Sequence, residues 1–160
     1  MNTNKQHART AGFLYLVYIL ITVLGSIFGS DLVVSGDAAA TASQITASAW
    51  RLRAEFLSEL VAGGLFLLTA WALYRLLAPV HKHLAILFVF LNLAGVAVQS
   101  LNTLNLFAPL LLLGDAGYLN VLPADQLPAL AMLSLDLHDH GFMIAQLFFG
   151  AWVLPLGWLV

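Results

Sequence analysis

The chain has 160 residues, of which 61% are apolar and only 9% are charged, and its net charge is −2. A soluble domain of this length could not bury so much apolar surface, so the composition indicates an integral membrane protein. The weak negative charge excludes a basic nucleic-acid-binding surface, because binding to phosphates requires clustered Lys and Arg. The absence of cysteine excludes disulfides and thiolate metal ligands.

Four apolar segments are long enough to cross a bilayer as helices, which takes about 20 residues each. They cover residues 10–30, 54–80, 84–114 and 129–160. We expect the first segment to be retained rather than cleaved as a secretory signal, because no pair of small residues follows it at a cleavage spacing. The predicted fold class is therefore all-α, with residues 1–160 forming a single transmembrane domain, an integral membrane helical bundle of four transmembrane helices.

The connections between these spans carry two further helix signals. In the outer segment 31–52, Asp37 is a good N-cap for a short amphipathic helix on the outer face. Pro123 and Asp125 open a helical pattern that runs into the fourth span, giving about 36 residues or roughly 54 Å. Such a helix exceeds a bilayer, so its first third is expected to stand outside the lipid or to bend.

The distribution of basic residues predicts the orientation. Lys5 and Arg9 precede the first span, and Arg75 and Lys82 flank the turn between the second and third spans. Basic residues accumulate in cytoplasmic loops, so the N-terminus is expected in the cytoplasm. The segment between the first two spans then faces outward, as does the loop Asp115–Asp125, which contains acids and no base.

Polar side chains gather in the outer half of the predicted bundle. Arg51 and Arg53 lie there against the positive-inside rule, which suggests a specific carboxylate or ligand partner. On the third span, a helical wheel places one polar stripe within about 100°, and this stripe should face protein. Its members are Asn92, Gln99, Asn102 and Thr103.

The densest cluster of titratable groups lies at the outer start of the fourth span. Asp136, Asp139, His140 and Gln146 share one side of that helix, whereas His138 points away from Asp136 by about 160°. The two histidines therefore need not belong to one pocket. The candidate ligand-binding residues of the whole chain are Arg53, Glu59, Gln99, Asn102, Asn105, Asp136 and His138.

Two other interpretations of these residues stay open. Buried amides, hydroxyls and an Arg–carboxylate pair can simply hold spans together, at about 0.6–2 kcal/mol per contact. Metal binding would draw on Asp136, His140 and His138, but histidines two positions apart diverge on a helix, so no metal and no cofactor are expected. The chain has no nucleophile elbow, phosphate-binding loop or dinucleotide fingerprint, so an enzymatic activity is undecided and is the less favoured interpretation.

Several motifs resemble a family of bacterial membrane proteins catalogued as domain of unknown function 4386. These are Ala8–Tyr15, Ser35–Ala42, Arg53–Leu60, Leu101–Phe107, Asp136–Gly141 and Phe148–Gly150. The family usually shows an Arg, an Asp or Glu, a pair of Asn and an Asp-x-His, and the resemblance maps these onto Arg53, Glu59, Asn102, Asn105, Asp136 and His138, whereas Asp139 and His140 are less typical. It implies a multi-span protein of the bacterial plasma (inner) membrane, without an established activity.

The resemblance also implies a difference in length, because relatives continue for two more spans after Val160. The chain is then expected to be a shortened form, in which a pocket completed by the later helices is either missing or completed by a second copy in a homo-oligomer. The first hypothesis is a protein that binds or passes a small molecule in an outward-facing intramembrane pocket. The alternatives are a metal-dependent membrane enzyme using Asp136 with His138 or His140, and a structural subunit of a membrane complex. Expected partners are the lipid bilayer, a small molecule and a second copy, and no nucleic acid.

Overall fold

The computed structural model describes residues 3–114 and 116–160, and every regular element in these ranges is helical. The elements are α1 (Thr3–Gly29), α2 (Ala38–Ala47), α3 (Ala49–Leu77), α4 (Lys82–Leu112), a short 3-10 helix (Gly117–Val121), α5 (Leu127–Ala151) and α6 (Val153–Leu159). The predicted all-α class is confirmed. Asp115, the first residue of the predicted acidic loop, lies outside the described residues, as do Met1 and Asn2.

Within residues 3–114 and 116–160, four helical stretches are long and apolar enough to cross a membrane, as predicted. They are Asn4–Gly29, Ala49–Leu77, Lys82–Leu112 and Leu127–Leu159. Large apolar side chains on their outer surfaces are exposed, including Phe13, Leu20 and Leu147. Helices satisfy their own backbone hydrogen bonds, so such faces are suited to contact with lipid.

The fourth span differs from the single long helix predicted to open at Pro123 and Asp125. Helix α5 begins later, at Leu127, with a proline in its first turn, where a missing N–H costs nothing. A break at Trp152 then separates α5 from α6. Pro155 explains the break, because it has no N–H to donate to the carbonyl of Ala151. The predicted long helix is thus shorter at its start and is divided near its end by the proline.

The long helices pack antiparallel in the order α1, α3, α4 and α5, so that α1 and α5 lie at the two edges. Small residues set the approach of neighbouring helices. A Cβ on Gly25 would overlap with Ser58 of α3, and a Cβ on Gly95 would overlap with the ring of Phe149 on α5. Glycine at these positions lets the helices lie close enough for side chains to meet across them.

Helix α2 covers the end of the bundle where α1 ends and α3 begins, which we call the α2 end. Gly36 adopts a φ of 76°, the left-handed conformation that glycine tolerates, and turns the chain into α2. Asp37 Oδ1 then accepts a hydrogen bond of 2.9 Å from Ala40 N, so the predicted N-cap is confirmed. Ile45 of α2 is buried in a cluster with Leu32 and Leu52, which fixes the helix to the bundle.

Candidate functional site

A polar network inside the α2 end of the bundle centres on Glu59 of α3 and His138 of α5. Glu59 Oε1 lies 3.2 Å from His138 Nε2. The His138 side chain is 11% exposed and that of Glu59 is 25% exposed, so the pair is largely removed from solvent. A charge in such a place needs a partner, and each of these groups supplies one for the other.

Two side chains from the polar stripe of α4 complete the hydrogen bonding of the Glu59 carboxylate. Gln99 Nε2 donates to Glu59 Oε2 at 3.1 Å. The Thr103 hydroxyl lies 2.8 Å from the same oxygen and also 2.8 Å from the carbonyl of Gln99, so it can donate to either acceptor. Both carboxylate oxygens therefore face hydrogen-bonding partners, which fixes the orientation of the Glu59 side chain.

His138 is held in turn by Asn102 of α4. Asn102 Nδ2 donates to the carbonyl of His138 at 2.8 Å, and His138 Nδ1 lies 3.3 Å from the carbonyl of Asn102. The Asn102 Oδ1 atom accepts from Asn105 Nδ2 at 3.2 Å. This clamp needs Gly141 one turn further along α5, because a Cβ there would overlap with the Asn102 amide.

Beside this network, a cleft of about 450 Å³ lies between the edge helices α1 and α5, with α3 and α4 as its floor. We call it the α1–α5 cleft. Its volume falls in the range of small-molecule sites, about 300–1,000 Å³. Most of its polar groups lie toward the α2 end and most of its aromatic rings toward the other end, with Phe142 and Gln146 of α5 as the exceptions. The polar members are Thr22, Ser26, Glu55, Ser58, Glu59, Gln99, Ser100 and Gln146, and the aromatic members are Tyr15, Tyr18, Phe66, Phe142, Phe149 and Trp152.

The aromatic part of the cleft is a packed wall rather than a set of isolated rings. Phe66 of α3 lies at its centre, with its centroid 4.9 Å from that of Tyr18 and 5.3 Å from that of Phe149. Trp152, at the break between α5 and α6, packs edge-on against Phe88 at 5.2 Å. Ring pairs at these distances attract each other beyond the effect of area burial. The wall is therefore a firm apolar surface.

Glu55 differs from Glu59 in having no bonded partner. It lies one turn before Glu59 on α3, and in residues 3–114 and 116–160 it forms no hydrogen bond and no ion pair. Its carboxylate rests against the backbone of Gly29, where a Cβ would displace it. Glu55 lines the α1–α5 cleft and also a smaller cavity of about 140 Å³, together with Asp136, His138 and Asp139. This carboxylate thus lies at the junction of the two cavities.

The two arginines that break the positive-inside rule have different surroundings. Arg51 Nε donates to the carbonyl of Phe28 at 2.9 Å, and its terminal Nη2 donates to the carbonyl of Ser30. Carbonyls at a helix C-terminus lack intrahelical donors and carry partial negative charge, so Arg51 caps α1. Arg53 is exposed and forms no hydrogen bond or ion pair with the described part of the chain.

The candidate residues thus divide into three groups. Glu59, Gln99, Asn102, Asn105 and His138 form one connected network, of which Glu59 and Gln99 also line the cleft. Asp136 is exposed and borders the smaller cavity, away from Glu59. Arg53 belongs to neither the network nor the two cavities. The third-span stripe does face protein, since Asn92, Asn102 and Thr103 are buried.

The residues proposed for metal binding do not converge. His138 is buried against α3 and α4, whereas His140 is exposed and its Nδ1 lies 2.7 Å from the carbonyl of Asp136 on its own helix. Within the described ranges, no group of three His, Asp or Glu side chains is close enough to share an ion. The metal-dependent alternative therefore has no donor set in this part of the chain.

Sequence reasoning did not single out Glu55 or the aromatic wall. For Arg51 it expected a carboxylate or ligand partner, whereas the partners in the structure are the backbone carbonyls of Phe28 and Ser30, which lie more than twenty positions earlier in the chain. The spacing of Glu55 and Glu59 by one helical turn was the available signal, since it places both carboxylates on one face of α3. The wall draws on three helices, so it has no signature in any one segment.

Comparison with known proteins bears on the family but not on the activity. No curated protein and no solved structure matches the chain. One family model matches residues 10–160, which is most of the chain, and its description is "Domain of unknown function (DUF4386)". In this chain, four of the described helical stretches have the length and composition of membrane spans. The chain belongs to the DUF4386 family.

Proposed function

We propose that the protein binds an amphipathic small molecule in the α1–α5 cleft, within the membrane. The single observation that carries the proposal is the division of one cavity into a polar end and an aromatic end. Glu55 and Phe66, which represent the two ends, are eleven positions apart on α3, or about 16 Å at the helical rise. A molecule with a polar head and an apolar body of that length matches the site.

Binding rather than tight packing accounts for the unused polar groups of the cleft. Gln99 Nε2 is bonded to Glu59, whereas its Oε1 atom is buried and has no partner among the described residues. A buried acceptor without a donor costs about 1–3 kcal/mol, and a donor that reached this atom would remove that cost. Interhelical adhesion explains the Glu59–His138–Asn102 network but leaves Gln99 Oε1 and Glu55 unexplained.

The proposal includes an orientation and a place in the cell. Lys5, Arg9, Arg75 and Lys82 share the end opposite α2, which supports a cytoplasmic location for that end and an outward location for the α2 end. Capping of α1 by Arg51 accounts for a basic residue at the outer end without conflict with this rule. We also place the protein in a bacterial plasma membrane, as the resemblance of its sequence motifs implies.

Transport by one copy is not part of the proposal. Transporters commonly place their site between repeated bundles, and four spans supply one bundle. Passage of a molecule therefore requires a homo-oligomer. A second copy that packs along the exposed edges of α1 and α5 would enlarge the cleft. Binding in the cleft requires only the residues described above.

The test compares native mass spectra of the purified protein and of two matched double variants of α1. Thr22→Phe with Ser26→Phe fills the cleft, whereas Val23→Phe with Ile27→Phe adds the same bulk on exposed positions outside it. We expect an organic adduct on the unaltered protein and on the outer-face variant, and its loss from the cleft variant. Equal adducts on all three proteins, or no adduct on any of them, would overturn the proposal.

A further inference from the structure

We infer that the molecule held in the α1–α5 cleft carries a positively charged head, such as an alkylammonium group, that binds at Glu55. The inference rests on the proposed function and specifies its ligand class. Glu55 lines the polar end of the cleft, is only partly exposed and has no bonded partner in the described residues. A carboxylate in a membrane-spanning segment needs such a partner, because an unpaired charge in low dielectric is costly.

The side chains around Glu55 cannot supply the missing charge. Arg51, one helical turn before Glu55, donates to the carbonyls of Phe28 and Ser30, and Arg53 is exposed without a bonded partner in the described residues. His138 is bonded to Glu59. Neither the cleft nor the smaller cavity is lined by a Lys or an Arg in the part of the chain that the structure describes. An external cation is thus the partner with which the Glu55 carboxylate stays ionised in the cleft.

The rest of the cleft distinguishes an organic cation from a metal ion. Within residues 3–114 and 116–160, Glu55 has no cluster of His, Asp or Glu side chains able to complete a metal coordination shell. Instead, the cleft continues from Glu55 along α3 to the aromatic wall at Phe66 and Trp152. Aromatic faces bind alkyl groups, so the wall suits the body of an alkylammonium whose head lies at Glu55.

An anionic head fits the cleft poorly. The polar end presents the carboxylates of Glu55 and Glu59. A sulfate or phosphate head would meet like charge there without a compensating Lys or Arg, whereas an ammonium would meet two carboxylates. The order of affinity expected for heads on one tail is therefore cation, then neutral sugar, then anion.

The test uses three probes with the same ω-bromoundecyl tail and a trimethylammonium, glucoside or sulfate head. The bromine quenches tryptophan fluorescence at short range, and Trp152 lies in the cleft wall. Replacing the exposed Trp50, Trp71 and Trp158 by Phe leaves Trp152 as the single reporter. The protein is titrated in neutral lipid nanodiscs, with the Thr22→Phe/Ser26→Phe variant as the blank for quenching from the lipid.

We expect the trimethylammonium probe to bind about tenfold more tightly than the glucoside, which corresponds to about 1.4 kcal/mol. Glu55→Gln should remove this preference, and Glu55→Asp should keep most of it. Asp125→Asn is the matched control, because it removes one acid from the same end of the molecule outside both cavities. It should leave the tenfold ratio unchanged.

Two outcomes overturn the inference and separate it from the proposed function. Saturable quenching by all three probes with equal affinity, abolished in the cleft-filling variant, would refute the cationic head and retain the binding cleft. Quenching that is not saturable and is the same in the cleft-filling variant would refute both. A preference for the cation that Asp125→Asn reduces as much as Glu55→Gln does would assign it to surface charge and refute the role of Glu55.

Discussion

Glu59 and His138 are 79 positions apart in the sequence, and they meet at 3.2 Å across α3 and α5. Helix α4 binds both partners, because Gln99 donates to Glu59 and Asn102 donates to the carbonyl of His138. One carboxylate and one imidazole therefore tie three helices at a single level of the bundle. Four consequences of the structure can be tested by mutation or labelling.

The first prediction concerns the stability of the Glu59–His138 pair. Glu59→Gln keeps the size of the side chain but leaves His138 without a carboxylate. Breaking a fully buried pair costs about 3–5 kcal/mol, and the partial exposure of Glu59 lowers the expected loss to about 1–3 kcal/mol. The free energy of unfolding by denaturing detergent measures it. Asp136→Asn, on the exposed side of α5, should change stability by less than about 0.5 kcal/mol. Equal losses of stability in both variants would contradict a specific contribution of the Glu59–His138 pair.

The second prediction concerns two glycines of α5. A Cβ on Gly141 overlaps with the amide of Asn102, whereas a Cβ on Gly150 meets no atom within 4 Å. Gly141→Ala should therefore destabilise the protein by about 1–3 kcal/mol through overpacking. Gly150→Ala should be neutral or stabilising by up to about 1 kcal/mol, because alanine favours the helix. The melting temperatures of the two purified variants give the comparison, and the same shift in both would refute the close approach at Gly141.

The third prediction separates the neighbouring arginines of α3. Arg51→Ala removes the donors to the carbonyls of Phe28 and Ser30 and should cost about 1–2 kcal/mol. Arg53→Ala should cost less than about 0.5 kcal/mol, since the side chain is exposed and unbonded within the described residues. Hydrogen exchange of the α1 C-terminal amides should accelerate in the first variant alone. Faster exchange of these amides after Arg53→Ala would show that Arg53 also caps α1 and would contradict the assignment of the cap to Arg51 alone.

The fourth prediction tests the proposed orientation. The chain has no cysteine, so single introduced cysteines can be labelled without background. A membrane-impermeant maleimide should modify Ser35→Cys and Asp125→Cys in intact bacterial cells. It should modify Gln6→Cys and His83→Cys only after the membrane is opened. The opposite pattern would reverse the orientation and place the Glu55 end of the cleft toward the cytoplasm.

Much of the fold follows from the sequence because the bilayer limits what a chain can do. Long apolar segments have to be helical, and their number and approximate bounds can be counted. Helical periodicity also placed Asn102 and Thr103 on a protein-facing stripe, and it separated His138 from Asp136. Both placements agree with burial in the structure.

The candidate site was less predictable because periodicity gives the face of a helix but not the residue opposite. Arg53 and Arg51 are both at the outer start of α3, and only the packing of α1 shows that Arg51 reaches a helix end. Glu55 and Glu59 share a face, yet one is bonded to three side chains and the other to none in the described part of the chain. Those differences arise from contacts between distant segments.

The position of α1 at one edge of the bundle has a mechanical consequence. The side-chain hydrogen bonds of the buried network join α3, α4 and α5, whereas α1 is bound through apolar contacts to α3 and through the Arg51 cap. A molecule that enters the cleft would therefore press on packing contacts at α1 and on hydrogen-bonded side chains at the other three helices. The bundle thus combines a three-helix frame joined by polar side chains with a side wall held by packing and one cap.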